Sequence, residues 1–262
     1  MDIIVCIKQV PGTSKVEVDP ETGVLVRDGI DSKMNPYDLY ALETALQLKE
    51  EYGGSVKVIS MGPPQAIEII KEAYMIGADE GILVTDKKFA GADVLATSYA
   101  LAQGILHFKR FDLIITGKQT TDGDTAQVGP EIAEYLKIPH VSNVLRIIKA
   151  TKKHLILDMD MPDSIGTIKI LFPCLITVEK DIFQPRLPSY KKRILTMNRE
   201  IKIMGISQMA DKDEKKYGLA GSPTKVERIF PPEEKFDRET WTGSGEALAE
   251  KMTKKLKELK FI

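Results

Sequence analysis

The amino-acid sequence predicts an α/β fold, a doubly wound and mostly parallel sheet with an antiparallel extension and a C-terminal arm. Short apolar runs typical of buried strands alternate with segments of helical periodicity over residues 3–137. Four further strand-like runs follow with few helices between them, at residues 141–148, 155–161, 167–171 and 175–178. Alternating strands and helices form right-handed βαβ units, and we expect the later strands to extend the sheet in antiparallel fashion.

The composition is that of an ordinary globular protein. The 262 residues are 43% hydrophobic and 29% charged, and the net charge of −1 argues against binding nucleic acid through bulk positive charge. The two cysteines, Cys6 and Cys174, match neither a disulfide framework nor a zinc-site spacing. No apolar run reaches the roughly 18 residues of a membrane span, and the N-terminus lacks the basic region of a signal peptide. We therefore expect a reduced, cytoplasmic setting and no membrane span.

The N-terminal elements begin with a strand at residues 3–7, a continuous apolar run that fits a strand buried on both faces. A hairpin is predicted next, at residues 16–27, from a Pro-Glu-Thr-Gly turn between two strand-like pieces. The first helix is expected to take Asn35 as its capping residue and Pro36 as its first helical residue. It should end at Gly53-Gly54, since glycine readily adopts the backbone conformation that follows a helix.

The same alternation continues along the domain. Strands are predicted at residues 56–61, 82–84 and 113–116, and helices at residues 64–76, 93–107 and 130–137.

The composition changes near residue 185. Residues 186–202 contain six basic side chains and one acidic side chain, and residues 205–240 have little periodicity. A final amphipathic helix places one apolar face toward a neighbour, formed by Leu248, Met252, Leu256 and Leu259. We therefore expect a domain at residues 1–185, a basic loop at residues 186–204 and an arm at residues 205–262 that packs on another surface.

The loop after the fourth strand is the strongest candidate for a binding site. In doubly wound sheets, ligands bind beyond the carboxyl ends of the strands. Residues 117–130 are rich in small and hydrogen-bonding residues and lead into a helix N-terminus, which favours an anion such as a pyrophosphate. The loop is not a Walker loop, and the loop after the first strand lacks a Gly-x-Gly-x-x-Gly fingerprint. The alternative is a capped loop in which Asp122 and Asp124 make turn hydrogen bonds.

The sequence gives little support for a catalytic serine site or a metal site. The sequence has no Gly-x-Ser-x-Gly elbow and no His-Glu-x-x-His motif, and its three histidines lack a metal-site spacing. We assign no catalytic side chain and no metal site, so any redox chemistry must come from a cofactor.

Several motifs, taken in order, resemble the beta (small) subunit of electron-transferring flavoproteins over essentially the whole chain. They are Val5-Cys6-Ile7-Lys8, Met34-Asn35-Pro36-Tyr37-Asp38, Met61-Gly62-Pro63, Gly117-Lys118-Gln119, Asp122-Gly123-Asp124-Thr125-Ala126-Gln127, Phe172-Pro173-Cys174-Leu175-Ile176-Thr177, Pro185-Arg186 and Gly221-Ser222-Pro223-Thr224. Residues 161–166 depart from the family's usual Asp-Gly-Gly-x-Glu pattern, which affects the geometry of a hairpin.

This resemblance implies an adenine-nucleotide-binding fold in a heterodimer with an FAD-bearing alpha subunit, which the C-terminal arm embraces. It also implies a nucleotide or flavin site in the first domain. The positions that match the family's site are Cys6, Asn35, Pro36, Tyr37, Asp38, Met61, Asp122, Gly123, Asp124, Thr125, Ala126, Gln127, Val128, Gly129, Pro130 and Glu131.

The resemblance leaves two cofactors open for that site. Ordinary members hold structural AMP, and electron-bifurcating members hold a second FAD. That FAD takes a hydride from NADH and divides the electrons between ferredoxin or flavodoxin and, through the alpha-subunit FAD, an acyl-CoA or lactate dehydrogenase. Residues 122–130 and 9–13 resemble the bifurcating group, and their small residues leave room for a larger ligand. A stand-alone adenine-nucleotide-binding enzyme or regulator is a third hypothesis, which the long arm argues against.

The basic loop at residues 186–204 matches the family's recognition loop for the partner dehydrogenase. The family's anchoring leucine is replaced by Tyr190 in an ungapped count. The residues expected to dock the partner are Tyr190, Lys191, Lys192, Arg193 and Leu195.

Overall fold

A computed structural model describes residues 1–12, 32–227 and 238–262 of the chain. The described strands are β1 (Asp2–Cys6), β2 (Gln9–Pro11), β3 (Ser32–Met34), β4 (Ser55–Met61), β5 (Glu80–Val84), β6 (Leu113–Gly117), β7 (His140–Ala150), β8 (His154–Met161), β9 (Ser164–Leu171), β10 (Cys174–Val178) and β11 (Lys202–Met204). The described helices are α1 (Pro36–Tyr52), α2 (Ile67–Ile76), α3 (Val94–Ile105), α4 (Val128–Leu136), α5 (Tyr190–Thr196) and α6 (Gly245–Glu258). The hairpin predicted at residues 16–27 lies outside the described residues.

In the described part of the chain, nine strands form one sheet in the order β11-β5-β4-β1-β6-β10-β7-β8-β9. The strands from β11 to β7 are all parallel, and β8 and β9 continue the sheet antiparallel. The predicted α/β sheet with an antiparallel extension is therefore confirmed. β2 and β3 form a separate antiparallel pair beside it.

Helices cover both faces of the parallel strands, as doubly wound topology requires. On one face, β1 contributes Ile3 and Val5 to a core with α1 and α2. On the other face, β1 contributes Ile4 and Cys6 to a core with α3 and α4. Successive side chains of a strand point to opposite faces, so a strand between two cores needs apolar residues at every position.

The helix boundaries follow local chemistry, with two differences from the prediction. Pro36 occupies the first turn of α1, and Gly53 closes that helix with a φ of 68°. Asn35 does not cap α1 with its side chain, contrary to expectation, because that side chain bonds to another loop. α4 begins at Val128, two positions before Pro130, the start expected from the sequence.

The chain reverses direction in the sheet between β1 and β6. From β1 it passes through α1 to β4 and through α2 to β5, all on one side of β1. It then crosses through α3 to β6, which pairs with the other side of β1. In doubly wound sheets, a reversal of this kind places the ligand crevice at the carboxyl edge, between the loops that follow the two strands, here β1 and β6.

Residues 202–224 pack on the domain itself. β11 adds a parallel strand beside β5, and the buried Tyr217 ring lies 5.2 Å from Phe89 and 5.3 Å from Tyr99, between ring centroids. Ser222 and Thr224 then bond to the residue that caps α3, Asp93. The sequence-based boundary between residues 204 and 205 does not mark a change in packing, since the contacts with the domain continue to Thr224.

α6 is more exposed to solvent than the other long helices. None of its residues is buried, and the side chain of Met252 is exposed. No helix of the described residues combines the length and the apolar character that crossing a membrane requires.

Candidate functional site

The candidate site lies where the loops after β1 and β6 meet the N-terminus of α1. Asp38, in the first turn of α1, is buried and accepts a hydrogen bond from the backbone N–H of Lys8 at 2.7 Å. It also accepts one from the backbone N–H of Gly117, so a single carboxylate joins the ends of both strands. Burial raises the pKa of Asp38 to about 7, although hydrogen bonds from Asn35, Lys8 and Gly117 oppose the shift.

Gly117 allows β6 to approach α1 closely. A Cβ at this position would lie 2.7 Å from Oδ1 of Asp38 and 2.7 Å from the backbone carbon of Tyr37. Real side chains do not tolerate such distances to backbone atoms, so only glycine permits the bond from Gly117 to Asp38.

Asn35 connects α1 to the loop that follows β6. Its buried side chain donates to the carbonyl oxygen of Gln119 at 2.9 Å and accepts from the N–H of Thr121 at 3.3 Å. Its backbone N–H donates to the carbonyl oxygen of Lys8 at 2.9 Å. Asn35 therefore fixes the beginning of the loop and the end of β1 at once.

Asp122 reaches across the crevice to Lys8. The Lys8 ammonium donates to both carboxylate oxygens of Asp122 at 2.7 Å. Beyond this point the loop is open, since residues 121–127 are exposed. Asp124 and Ala126 have left-handed backbone conformations, with φ of 53° and 55°, which is uncommon for residues other than glycine.

Gly123 is the one residue of this exposed loop with no side chain, and the fold leaves space around it. A Cβ at Gly123 would meet only Oγ1 of Thr120, at 3.4 Å. Packing within the chain therefore does not require glycine at position 123.

The N-terminus of α4 packs closely against the sheet. A Cβ at Gly129 would lie 2.7 Å from Cγ2 of Thr177 and 2.9 Å from Oγ1 of Thr116. The first turn of α4 has no side-chain cap, so side-chain capping leaves its backbone N–H groups and the positive end of its dipole open to a ligand. Glu131 is turned away from it and accepts a hydrogen bond from Ser98 at 2.7 Å.

The other predicted site residues border the crevice. Cys6 ends β1 and Met61 ends β4, with Met61 half-buried. Burial, and then the charge of Asp38, raise the pKa of Cys6, so its thiol stays protonated. Pro36 and Tyr37 form the first turn of α1. The remaining predicted residues follow in the exposed loop and the first turn of α4, namely Thr125, Gln127, Val128 and Pro130.

The structure adds three residues that are not among the positions matched to the family's site. Lys8 and Gly117 belonged to matching motifs, but their roles depend on contacts between segments far apart in the chain. Lys118 is a second cation at the same edge, and its ammonium lies 2.5 Å from the carboxylate of Glu179. Their positions at or just after the ends of β1 and β6 are the signal that could have identified them.

These donors suit a phosphate-bearing ligand. They comprise backbone N–H groups at a helix N-terminus and the ammonium of Lys8, all at one edge of the sheet. These groups are suited to binding and orienting an anion. Among the described residues, no group of His, Cys, Asp and Glu side chains could hold a metal ion.

The predicted docking residues lie on and around α5. The side chains of Leu187, Tyr190 and Leu195 are 87%, 74% and 71% exposed. Lys191 and Arg193 are also exposed, whereas Lys192 is turned back toward α2. Arg186 anchors the start of this segment, through bonds of 2.8 Å to both carboxylate oxygens of Glu43.

Comparison with known proteins gives full-length similarity. A family model described as the electron transfer flavoprotein domain matches residues 22–202. The electron transfer flavoprotein subunit beta of Clostridium acetobutylicum is 43% identical over 262 residues, with 100% of both chains covered. The caffeyl-CoA reductase-Etf complex subunit CarD of Acetobacterium woodii is 42% identical over 271 residues, again with 100% of both covered. Protein FixA of Sinorhizobium fredii is 42% identical over 238 residues, 88% of this chain and 84% of FixA.

Proposed function

The chain belongs to the electron transfer flavoprotein family as a beta subunit, and we propose from that premise that it is the beta subunit of an electron-bifurcating complex. Its partner in the heterodimer is the alpha subunit with which beta subunits of this family pair. Its own site holds FAD, NADH delivers the electrons, and the complex works in the cytoplasm. The electrons leave to ferredoxin or flavodoxin and, through the alpha-subunit FAD, to a dehydrogenase.

The observation that carries this proposal is the open loop over the crevice. Residues 121–127 are exposed, and Gly123 has free space where a side chain would stand. A pocket for AMP alone has no need of that space, whereas an isoalloxazine ring attached to the same ADP group does. The similarity to CarD, named as a subunit of a caffeyl-CoA reductase-Etf complex, supports an acyl-CoA dehydrogenase as the partner.

The chemistry that FAD supplies when bound is hydride uptake from NADH followed by the release of electrons one at a time. The chain's own residues bind and orient. The N–H groups of α4 and the ammonium of Lys8 neutralise phosphate charge, and Asn35 and Asp38 hold the two loops in register.

A structural AMP site is the second candidate function. The donors described above would hold the phosphate of AMP as well as they hold the ADP half of FAD. In that case the alpha-subunit FAD carries electrons without any flavin in the beta subunit.

Two surfaces of the chain serve assembly in this proposal. The exposed apolar side chains around α5 dock the dehydrogenase, and α6 packs its apolar face on the alpha subunit. Both surfaces are apolar and exposed in the chain alone, which favours burial against a partner.

The test is to purify the chain with its alpha subunit and to count the FAD and AMP released per heterodimer. Two FAD and no AMP, together with NADH oxidation, is the expected result. One FAD and one AMP would contradict bifurcation and support the second candidate. A chain that binds ATP and forms no heterodimer would contradict both.

A further inference from the structure

The backbone of Lys8 is held by buried partners, whereas its side chain has an exposed partner. Its N–H donates to Asp38 at 2.7 Å, and its carbonyl oxygen accepts from the N–H of Asn35 at 2.9 Å. Both partners are buried in the first turn of α1 or next to it. The Cα of Lys8 is therefore held at the crevice, and only its ammonium can change partners.

That ammonium is paired with a carboxylate of the exposed loop that follows β6. The side chains of Lys8 and Asp122 are 43% and 33% exposed, so water reaches both charges. Although burial raises the pKa of Asp122, the hydrogen bonds and charge of Lys8 outweigh burial and lower that pKa overall. Asp122 is thus a carboxylate at neutral pH and competes for Lys8 with any anion that enters the crevice.

The other cation at this edge is not available in the same way. Lys118 is paired with Glu179, whose side chain is only 11% exposed. Moving Lys118 away would leave a buried carboxylate without its partner, which is strongly unfavourable. Moving Lys8 away leaves Asp122 in contact with water, where a separated ion pair loses little.

We propose that the Lys8–Asp122 ion pair is a latch across the nucleotide site, which a phosphate group opens by drawing the Lys8 ammonium away from Asp122. Asp122 is therefore an internal competitor that lowers affinity, and Lys8 is the positioning cation for the ligand's phosphate. This inference rests on the proposed function in one respect, because it takes the ligand to be a phosphate-bearing nucleotide.

The latch makes opposite predictions for its two residues. Asp122→Asn frees Lys8 and tightens binding by about three- to fivefold, the size expected when an exposed ion pair no longer has to be broken. Lys8→Gln removes a charge-assisted hydrogen bond to phosphate and weakens binding by roughly tenfold. In the Lys8→Gln background, Asp122→Asn should have no further effect on ligand affinity, because no Lys8 ammonium remains for which Asp122 and the phosphate could compete.

The experiment is a double-mutant cycle on the complex of the full chain with its alpha subunit, with FAD already bound to the alpha subunit. Calorimetric titration with FAD, ADP and adenosine gives the dissociation constants of the beta site. Adenosine lacks phosphate, so its affinity should respond to neither substitution. Asp79→Asn is the matched control, because Lys49 binds both carboxylate oxygens of Asp79 at 2.6–2.7 Å at the opposite edge of the sheet.

Weaker binding of ADP by Asp122→Asn, or an equal effect of this substitution with and without Lys8, would overturn the latch and assign Asp122 to holding the loop. If FAD binds and the cycle shows no coupling, the latch fails and the proposed function stands. If ADP binds with the predicted coupling but FAD does not bind, the latch stands and the proposed flavin site fails.

Discussion

The ammonium of Lys192 donates a hydrogen bond of 2.6 Å to the carbonyl oxygen of Ile76, the last residue of α2. Arg199 donates likewise to the carbonyl oxygen of Ala78 at 2.8 Å. Carbonyl groups at the C-terminal end of a helix attract cations. Part of the basic charge in this segment therefore attaches it to the domain, and the side chains left facing water include large apolar ones.

Leu195→Ala should weaken docking of the partner dehydrogenase by about tenfold, because an apolar anchor at the centre of an interface contributes most of its energy. Lys191→Ala, an exposed charge on the same segment, should change the affinity by less than about twofold. The measurement is the dissociation constant of the complex and dehydrogenase at two salt concentrations. A larger loss for Lys191→Ala, growing at low salt, would mean that docking is electrostatic.

Asp38 should make the stability of the domain depend on pH. Its pKa is raised to about 7 by burial, so the folded chain holds a proton that the unfolded chain releases near pH 4. The stabilisation from this group is present in full below pH 4 and is lost as pH rises toward 7, by up to about 4 kcal/mol. Urea unfolding of the wild type and of Asp38→Asn between pH 5 and pH 8 measures this loss of stability. Parallel curves for the two proteins would contradict the raised pKa.

Gly129→Ala should destabilise the domain by about 1–3 kcal/mol, because the new Cβ would overlap Thr177 and Thr116 under α4. Urea unfolding gives the free energy. Gly123→Ala is the control and should change it by less than about 0.5 kcal/mol, since its Cβ has space. Equal losses of unfolding free energy for the two substitutions would show that the close contact of α4 with the sheet does not contribute to stability.

Gly123→Trp should remove the beta-subunit flavin and abolish NADH oxidation, while the alpha-subunit flavin remains. The reason is that the space beside this glycine is open in the chain itself and is reserved for the ligand in the proposed function. The flavin content per heterodimer and the rate of NADH oxidation check the prediction. Unchanged NADH oxidation would exclude this loop from the flavin site.

Met252→Glu should weaken assembly with the alpha subunit by about tenfold or more without lowering the stability of the domain. Met252 is exposed in the chain alone, and α6 has no buried residue whose packing the substitution could disturb. Analytical ultracentrifugation of the mixed subunits measures assembly. Thr253→Glu, on the next position of the same helix, is the control and should assemble normally.

The fold could be predicted from the sequence because its strongest signals are local. β1, β4 and β6 each contain a run of buried apolar residues, and Pro36 and Gly53 define the ends of α1. β3 and β11 were missed because each has only three residues, too few to show a period.

The candidate site could be predicted only in part. The motifs singled out Asn35, Asp38 and Asp122 as candidate site residues. A sequence motif does not show in which direction a side chain points. It therefore assigned Asn35 to capping, whereas the Asn35 side chain bonds to the loop after β6. The docking role of Lys192 stays a prediction, and its ammonium bonds to the carbonyl oxygen of Ile76. The role of Gly117 could not be predicted for the same reason. The requirement for a residue without a Cβ becomes visible only when α1 is placed against β6.

The carboxylate that joins β1 to β6 has a consequence for how the chain is made. β1 leaves the ribosome first, yet the N–H of Lys8, two residues after β1, shares Asp38 with the N–H of Gly117, which ends a strand that is synthesised much later. Contacts between such distant segments form slowly. A nascent chain that ends before β6 lacks Gly117 and cannot form this link. In the proposed function, cofactor capture would therefore report that β1 and β6 have already come together.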